Sequence, residues 1–243
     1  MSDQRLSNPY ASPTTAGDPA VAAVKPDARL AAAFLSQAFL WMFVGLLVSA
    51  GVAYWVTQSE ALTSFAEGNL FFLFIAQLGI VFAIGLFINR INATVALGLF
   101  FVYAASLGLT IGLIVSAYST TAVATSFISA SAMFGAAAVY GAVTKRSLSS
   151  LGGILLMGLV GIIVASIINI FLGSEAISWI ISIVGVVIFT ALTAYDVQKI
   201  QEGVLVGMTG SMEKAAVLGA LRLYLDFINL FLFTLRLFGG GGR

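Results

Sequence analysis

The chain has no cysteine and no histidine in its 243 residues. Disulfides, thiolate nucleophiles and cysteine metal sites are therefore excluded, and so are imidazole bases, Ser-His dyads and His-ligated zinc. Only carboxylates, Lys, Arg, Tyr, Ser and Thr remain to handle protons or ions, so no catalytic residue is expected and the chain does not read as an enzyme. Charge is almost as scarce. Asp, Glu, Lys and Arg make up 9% of the residues, hydrophobic residues 60%, and mean hydropathy is +1.07. A soluble domain carries about 25% charged residues, so this is an integral membrane protein whose first partner is the lipid bilayer. A net charge of +1 and a pI near 8.0 argue against nucleic acid or an acidic soluble partner. Proline is absent after Pro26, which removes the usual cause of kinked spans.

Residues 1–29 hold all four prolines and six charged residues. Without an apolar core they do not make a signal peptide, and they read as a disordered cytoplasmic tail. Residues 30–238 form the transmembrane domain, and the glycine-rich 239–243 a flexible end. A helix needs about 20 apolar residues to cross roughly 30 Å of hydrocarbon. Charge-free windows place six spans near 32–57, 69–89, 93–117, 122–144, 151–173 and 176–200. A seventh, about 217–238, is apolar but carries Arg222, Asp226 and Arg236. The fold class is all-α, a polytopic membrane protein of seven helices.

Lys and Arg are retained on the cytoplasmic side. With the amino terminus inside, the tail, the 2-3 loop, the 4-5 loop and the 6-7 loop hold eight of the 11 basic residues, and the three opposite loops hold none. The carboxyl terminus is then outside. Small residues such as Ser131-xxx-Gly135 and Gly161-xxx-Ala165 let helices approach closely, and packing within one bundle is the expected use. The protein is expected to be a monomer.

At 100° per residue, Arg222, Asp226, Asn229, Phe233 and Arg236 fall within about 80° of one another around span seven. A polar stripe should face protein or water, so span seven sits against or inside the other six. A lone carboxylate at mid-membrane costs roughly 2.5–3.5 kcal/mol on insertion scales, and Asp226 needs a partner or a use. Arg222, four residues earlier, could neutralise it. Asp196, near the end of span six, could likewise form a solvated pair with Lys199. The alternative is that the two aspartates meet. Each lies about 6 Å below the cytoplasmic boundary if span six leaves the membrane near Ile200 and span seven enters at Arg222. Two carboxylates in contact in a low-dielectric site cannot both ionise cheaply and tend to share a proton. Asp196 and Asp226 would thus sense pH and, when ionised, line a cation path. Arg90, closing span two at the same face, is a candidate latch or a plain anchor; Arg222 and Asn229 support the stripe.

The stretches "TAYDVQKI" (193–200) and "LGALRLYLDFINLFLFTLRLFG" (218–239), with "ASLGLTIGLI" (105–114), resemble the Bax inhibitor-1 family over about residues 31–238. The resemblance implies seven helices with the carboxyl-terminal one central, wrapped by two groups of three. It also implies a pH-sensitive calcium leak governed by aspartates matching Asp196 and Asp226, with an arginine latch matching Arg90. No cofactor and no fixed metal site are implied; calcium passes transiently near the two aspartates. Eukaryotic members suppress cell death from the endoplasmic reticulum. Bacterial members lie in the inner membrane, and one kind associates with a membrane-bound protease. Two features depart from the family: the 6-7 loop is long, and span two offers Gln77 where an acidic group is expected.

Alternatives of other classes are a proton-coupled secondary transporter and a membrane interaction protein regulating a protease. An intramembrane aspartyl protease matches Tyr195-Asp196. It fails at Leu223-Tyr224-Leu225-Asp226, where Gly-x-Gly-Asp is required, and it needs a later proline that the chain lacks. A retinal protein is disfavoured because span seven offers no lysine for a Schiff base.

Overall fold

The computed structural model describes residues 28–240. Its elements are α1 (Ala28–Gln58), α2 (Glu60–Gly68), α3 (Leu70–Phe87), α4 (Ala93–Ser116), α5 (Thr120–Val143), α6 (Gly152–Leu172), α7 (Glu175–Gln201), α8 (Val204–Thr209) and α9 (Met212–Gly239), with a 3₁₀ turn at Ser149–Leu151. Seven of the described helices, all but α2 and α8, are long and apolar enough to cross a membrane. The expected tail lies outside the described residues except for its last two, which already belong to α1; of the glycine-rich end, 241–243 lie outside them too.

The helix starts follow from local chemistry. Ser59, Asn92, Ser119, Ser174 and Ser211 each cap the helix that follows, a side-chain oxygen accepting from a first-turn N–H. Gly173, Gly203 and Gly210 end segments at φ +60, +72 and +65, a region other residues enter at a cost. Because Ser211 caps α9, that helix begins at Met212 and not near 217. A charge-free window finds only the lipid-immersed part of a helix, and the first turns here carry Glu213 and Lys214.

The carboxyl-terminal helix is the centre of the bundle. In its most apolar window 72% of residues are buried, against 11–33% in the other six spans. On one side α1 packs against α4 and α4 against α3; on the other α5 packs against α7 and α7 against α6; α1, α5 and α7 all lie along α9. Close approach uses glycines other than those of the two small-residue motifs. A Cβ on Gly135 or Gly161 would meet nothing within 4 Å, so those motifs do not serve packing inside the bundle. Gly141, by contrast, lies against the backbone of Ala194, and a Cβ on Gly108 would stand 2.8 Å from the Ser49 carbonyl oxygen.

One end of the bundle gathers the basic loops. Lys214 Nζ donates to the carbonyl of Asn89 at 3.3 Å. The Gln198 side chain donates to the carbonyl of Arg146 at 2.9 Å and accepts from the Leu148 N–H at 2.7 Å. The connections α3–α4, α5–α6 and α7–α9 are thereby tied to the same end.

Candidate functional site

The acidic residues of the two adjoining helices are placed by the register between α7 and α9. A Cβ on Gly219 would stand 3.2 Å from Ile200 Cδ1, and one on Gly185 2.6 Å from the Phe233 ring, which therefore seats in the gap that glycine leaves. In this antiparallel register Asp196 is level with Arg222 and Leu223. Asp226 is level with Thr193, about three residues or ~4.5 Å further in. The equal depths expected for the two aspartates are thus corrected by one turn of helix. Counting from the basic residues that mark helix ends gives the depth of a segment, while the offset between helices is set by which glycine receives which side chain.

That offset decides the partners. Arg222 Nη1 lies 3.3 Å from Asp196 Oδ1, an ion pair between α9 and α7. Arg222 makes no ion pair with Asp226, and Asp196 is not paired with Lys199, whose amine holds Glu202 at 2.9 Å and the Ser149 hydroxyl. Asp196 is 8% exposed and Asp226 4%. Asp226 Oδ2 is buried with no hydrogen-bond partner among the described residues. The nearest hydroxyl by register, Thr193, is spent on the carbonyl of Phe189 in its own helix at 2.8 Å. The two carboxyls are neighbours with a guanidinium on one of them, and the hydrogen bond expected between them is not the contact that forms here.

Arg90 is exposed, its guanidinium 5.9 Å from the centre of the Phe87 ring, and the ion pair to Asp196 comes from Arg222 in its place. Asn229 donates to the carbonyl of Leu225 at 2.8 Å, within its own helix, and Arg236 is exposed near the opposite end. Gln77 bonds the Ser106 carbonyl at 3.0 Å and the Thr110 hydroxyl at 2.9 Å, so where the family pattern calls for an acidic group this chain ties α3 to α4.

Tyr224 lies off the polar stripe of α9 and is completely buried. Its hydroxyl is 2.6 Å from Ser49 Oγ, and Ser49 is 2.7 Å from the carbonyl of Ala104 and 3.0 Å from that of Gly45. Since serine has a single proton and two carbonyls compete for it, the tyrosine donates. The ring stands edge-on to Phe100 and Tyr103. A serine at mid-span opposite a tyrosine was the available signal, but nothing in one sequence says that positions 175 residues apart will meet.

Chemically, a buried acid with a free lone pair can take up or release a proton, and a second acid one turn away can hold a cation briefly. Calcium bound firmly needs six to eight oxygens, and no group of three or more acidic residues capable of holding a metal occurs among the described residues.

Residues 31–243 match the family model described as inhibitor of apoptosis-promoting Bax1. The chain belongs to the Bax inhibitor-1 family. It is 42% identical over 222 residues to the inner membrane protein YbhL of Escherichia coli strain K12, covering 89% of this chain and 94% of that one. An uncharacterized protein of Deinococcus radiodurans is 43% identical over 205 residues, covering 84% and 89%. One from Borreliella burgdorferi is 39% identical over 211, covering 85% and 91%. Membership in the Bax inhibitor-1 family thus covers every span and both aspartates.

Proposed function

We propose that this chain is a pH-sensitive cation leak, with calcium the permeant ion, governed by Asp196 and Asp226. The observation that carries the reading is the buried, unpartnered Oδ2 of Asp226, one turn from the Asp196–Arg222 pair. Ionising an acid there without a partner is costly, so the protein's preferred arrangement depends on whether the proton is present. Such a dependence is what a pH-controlled path needs. The location is a bacterial inner membrane, as the name of the Escherichia coli relative supports. The amino terminus is cytoplasmic and the carboxyl terminus outside, because the end that gathers Arg90, Lys145, Arg146, Lys199 and Lys214 is the one that resists translocation. Unbroken helices support passive flow over coupled transport, which usually builds its site from interrupted spans.

Calcium entry into dye-loaded liposomes, followed across pH, tests this reading. Asp196→Asn and Asp226→Asn should each remove most of the pH dependence of the flux. Wild-type flux with wild-type pH dependence in both variants would overturn it.

A further inference from the structure

Arg222 has two acidic neighbours and is bound to one of them. It reaches Asp196 across the helix interface at 3.3 Å, while Asp226 follows it by four residues on the same face of α9, a spacing at which side chains meet by rotamer change alone. The Arg222 side chain is about one third exposed, which leaves room for another rotamer. Among the described residues it makes no other ion pair. From Ala31 onward α1 holds no Asp, Glu, Lys or Arg; nor do α4, α5 and α8, the other elements packed on α9 besides α7. On α7, Lys199 is engaged with Glu202, and Glu175 is at the far end. The titratable neighbours that remain, Tyr224 and Tyr103, stack edge-on beside Ser49.

We infer that Arg222 is a shared counterion for which the two aspartates compete, resting on Asp196 while Asp226 is protonated and passing to Asp226 when Asp226 ionises. The inference rests on the leak reading and names the regulation of the same site. A protonated Asp226 needs no cation. An ionised one, with an unpartnered oxygen in a buried setting, needs one at once, and the guanidinium one turn away is the available source. Its departure leaves Asp196 buried and unpaired and removes the ion pair that fastens the inner end of α7 to α9. Proton loss at one carboxyl is thereby converted into release of the other. Arg222 is a positioning residue, and Arg90 takes no part.

The absence of cysteine makes a distance test direct. Cysteines placed at Ser147, in the loop held by Gln198, and at Asn89, in the loop held by Lys214, carry spin labels on the full chain in lipid nanodiscs. The label separation should change across pH in the otherwise unaltered protein. Arg222→Gln should abolish that change. Arg222→Lys, which keeps the charge and guards against a variant that does not fold, should retain it with the midpoint moved by about one pH unit or more, a tenfold change in proton affinity. A pH-dependent separation with an unmoved midpoint in both variants overturns the inference. The leak reading is judged separately by calcium flux: loss of pH-dependent flux in Asp226→Asn beside an unaffected Arg222→Gln sinks the counterion and leaves the leak standing.

Discussion

Tyr224 and Asp226 are two residues apart on α9, both buried, and about 200° apart around it. The tyrosine faces α1 and α4 and meets a complete set of partners: a serine hydroxyl, two carbonyls behind it, and two aromatic edges. The aspartate, on the side of Asp196 and Arg222, keeps an oxygen without any. The same helix therefore presents a finished polar network to one neighbour and an unfinished one to the other. Satisfied networks rigidify, and unsatisfied ones can respond. On the proposed leak reading, the α1–α4 side of the bundle is the fixed half and the α7 side the half that would answer protons.

Substitutions can break or sharpen this contrast. The largest effect is expected at the fixed side: Gly108→Leu drives a side chain into the Ser49 backbone and Val52, where even a Cβ would stand at 2.8 Å. It should cost about 3 kcal/mol or more, seen as loss of monodisperse protein in detergent. Ser49→Ala strands the Tyr224 hydroxyl and should cost about 1–3 kcal/mol in thermal or denaturant unfolding. Tyr224→Phe, which leaves Ser49 its carbonyl acceptors, should cost about 0.5–1.5 kcal/mol, with the pH dependence of calcium flux intact in both. Asp226→Leu should shift stability least, by within about 1 kcal/mol and toward greater stability, because an orphan polar group is replaced by an apolar one. Its pH response should nevertheless vanish. A large loss of stability in Asp226→Leu, or an altered pH response in Tyr224→Phe, would erase the distinction between the two sides.

Much of this was legible from the amino acids. Seven spans follow from charge-free windows, and a polar stripe that lipid would not accept puts α9 against or inside the other spans; its central place was what the family resemblance implied. The short helices α2 and α8 were not legible, because a ruler cut to membrane thickness does not register nine and six residues. The pairing of Arg222 was not legible either. Helical periodicity shows that Arg222 and Asp226 share a face, but the choice between Asp226 and Asp196 depends on the vertical offset of α7 against α9. That offset comes from two side chains, Ile200 and Phe233, fitting at Gly219 and Gly185, and shape complementarity between distant segments leaves no local trace.

Those two fittings also limit how α7 and α9 can move. A knob is seated near each end of the pair, with Asp196 and Asp226 between them, so neither rod can travel lengthwise past the other without unseating an aromatic ring and an isoleucine together. If the proposed release of Asp196 parts the rods, the fit at the Phe233 seat favours a swing about that point, and the widening would begin at the end where Arg222 and Asp196 pair.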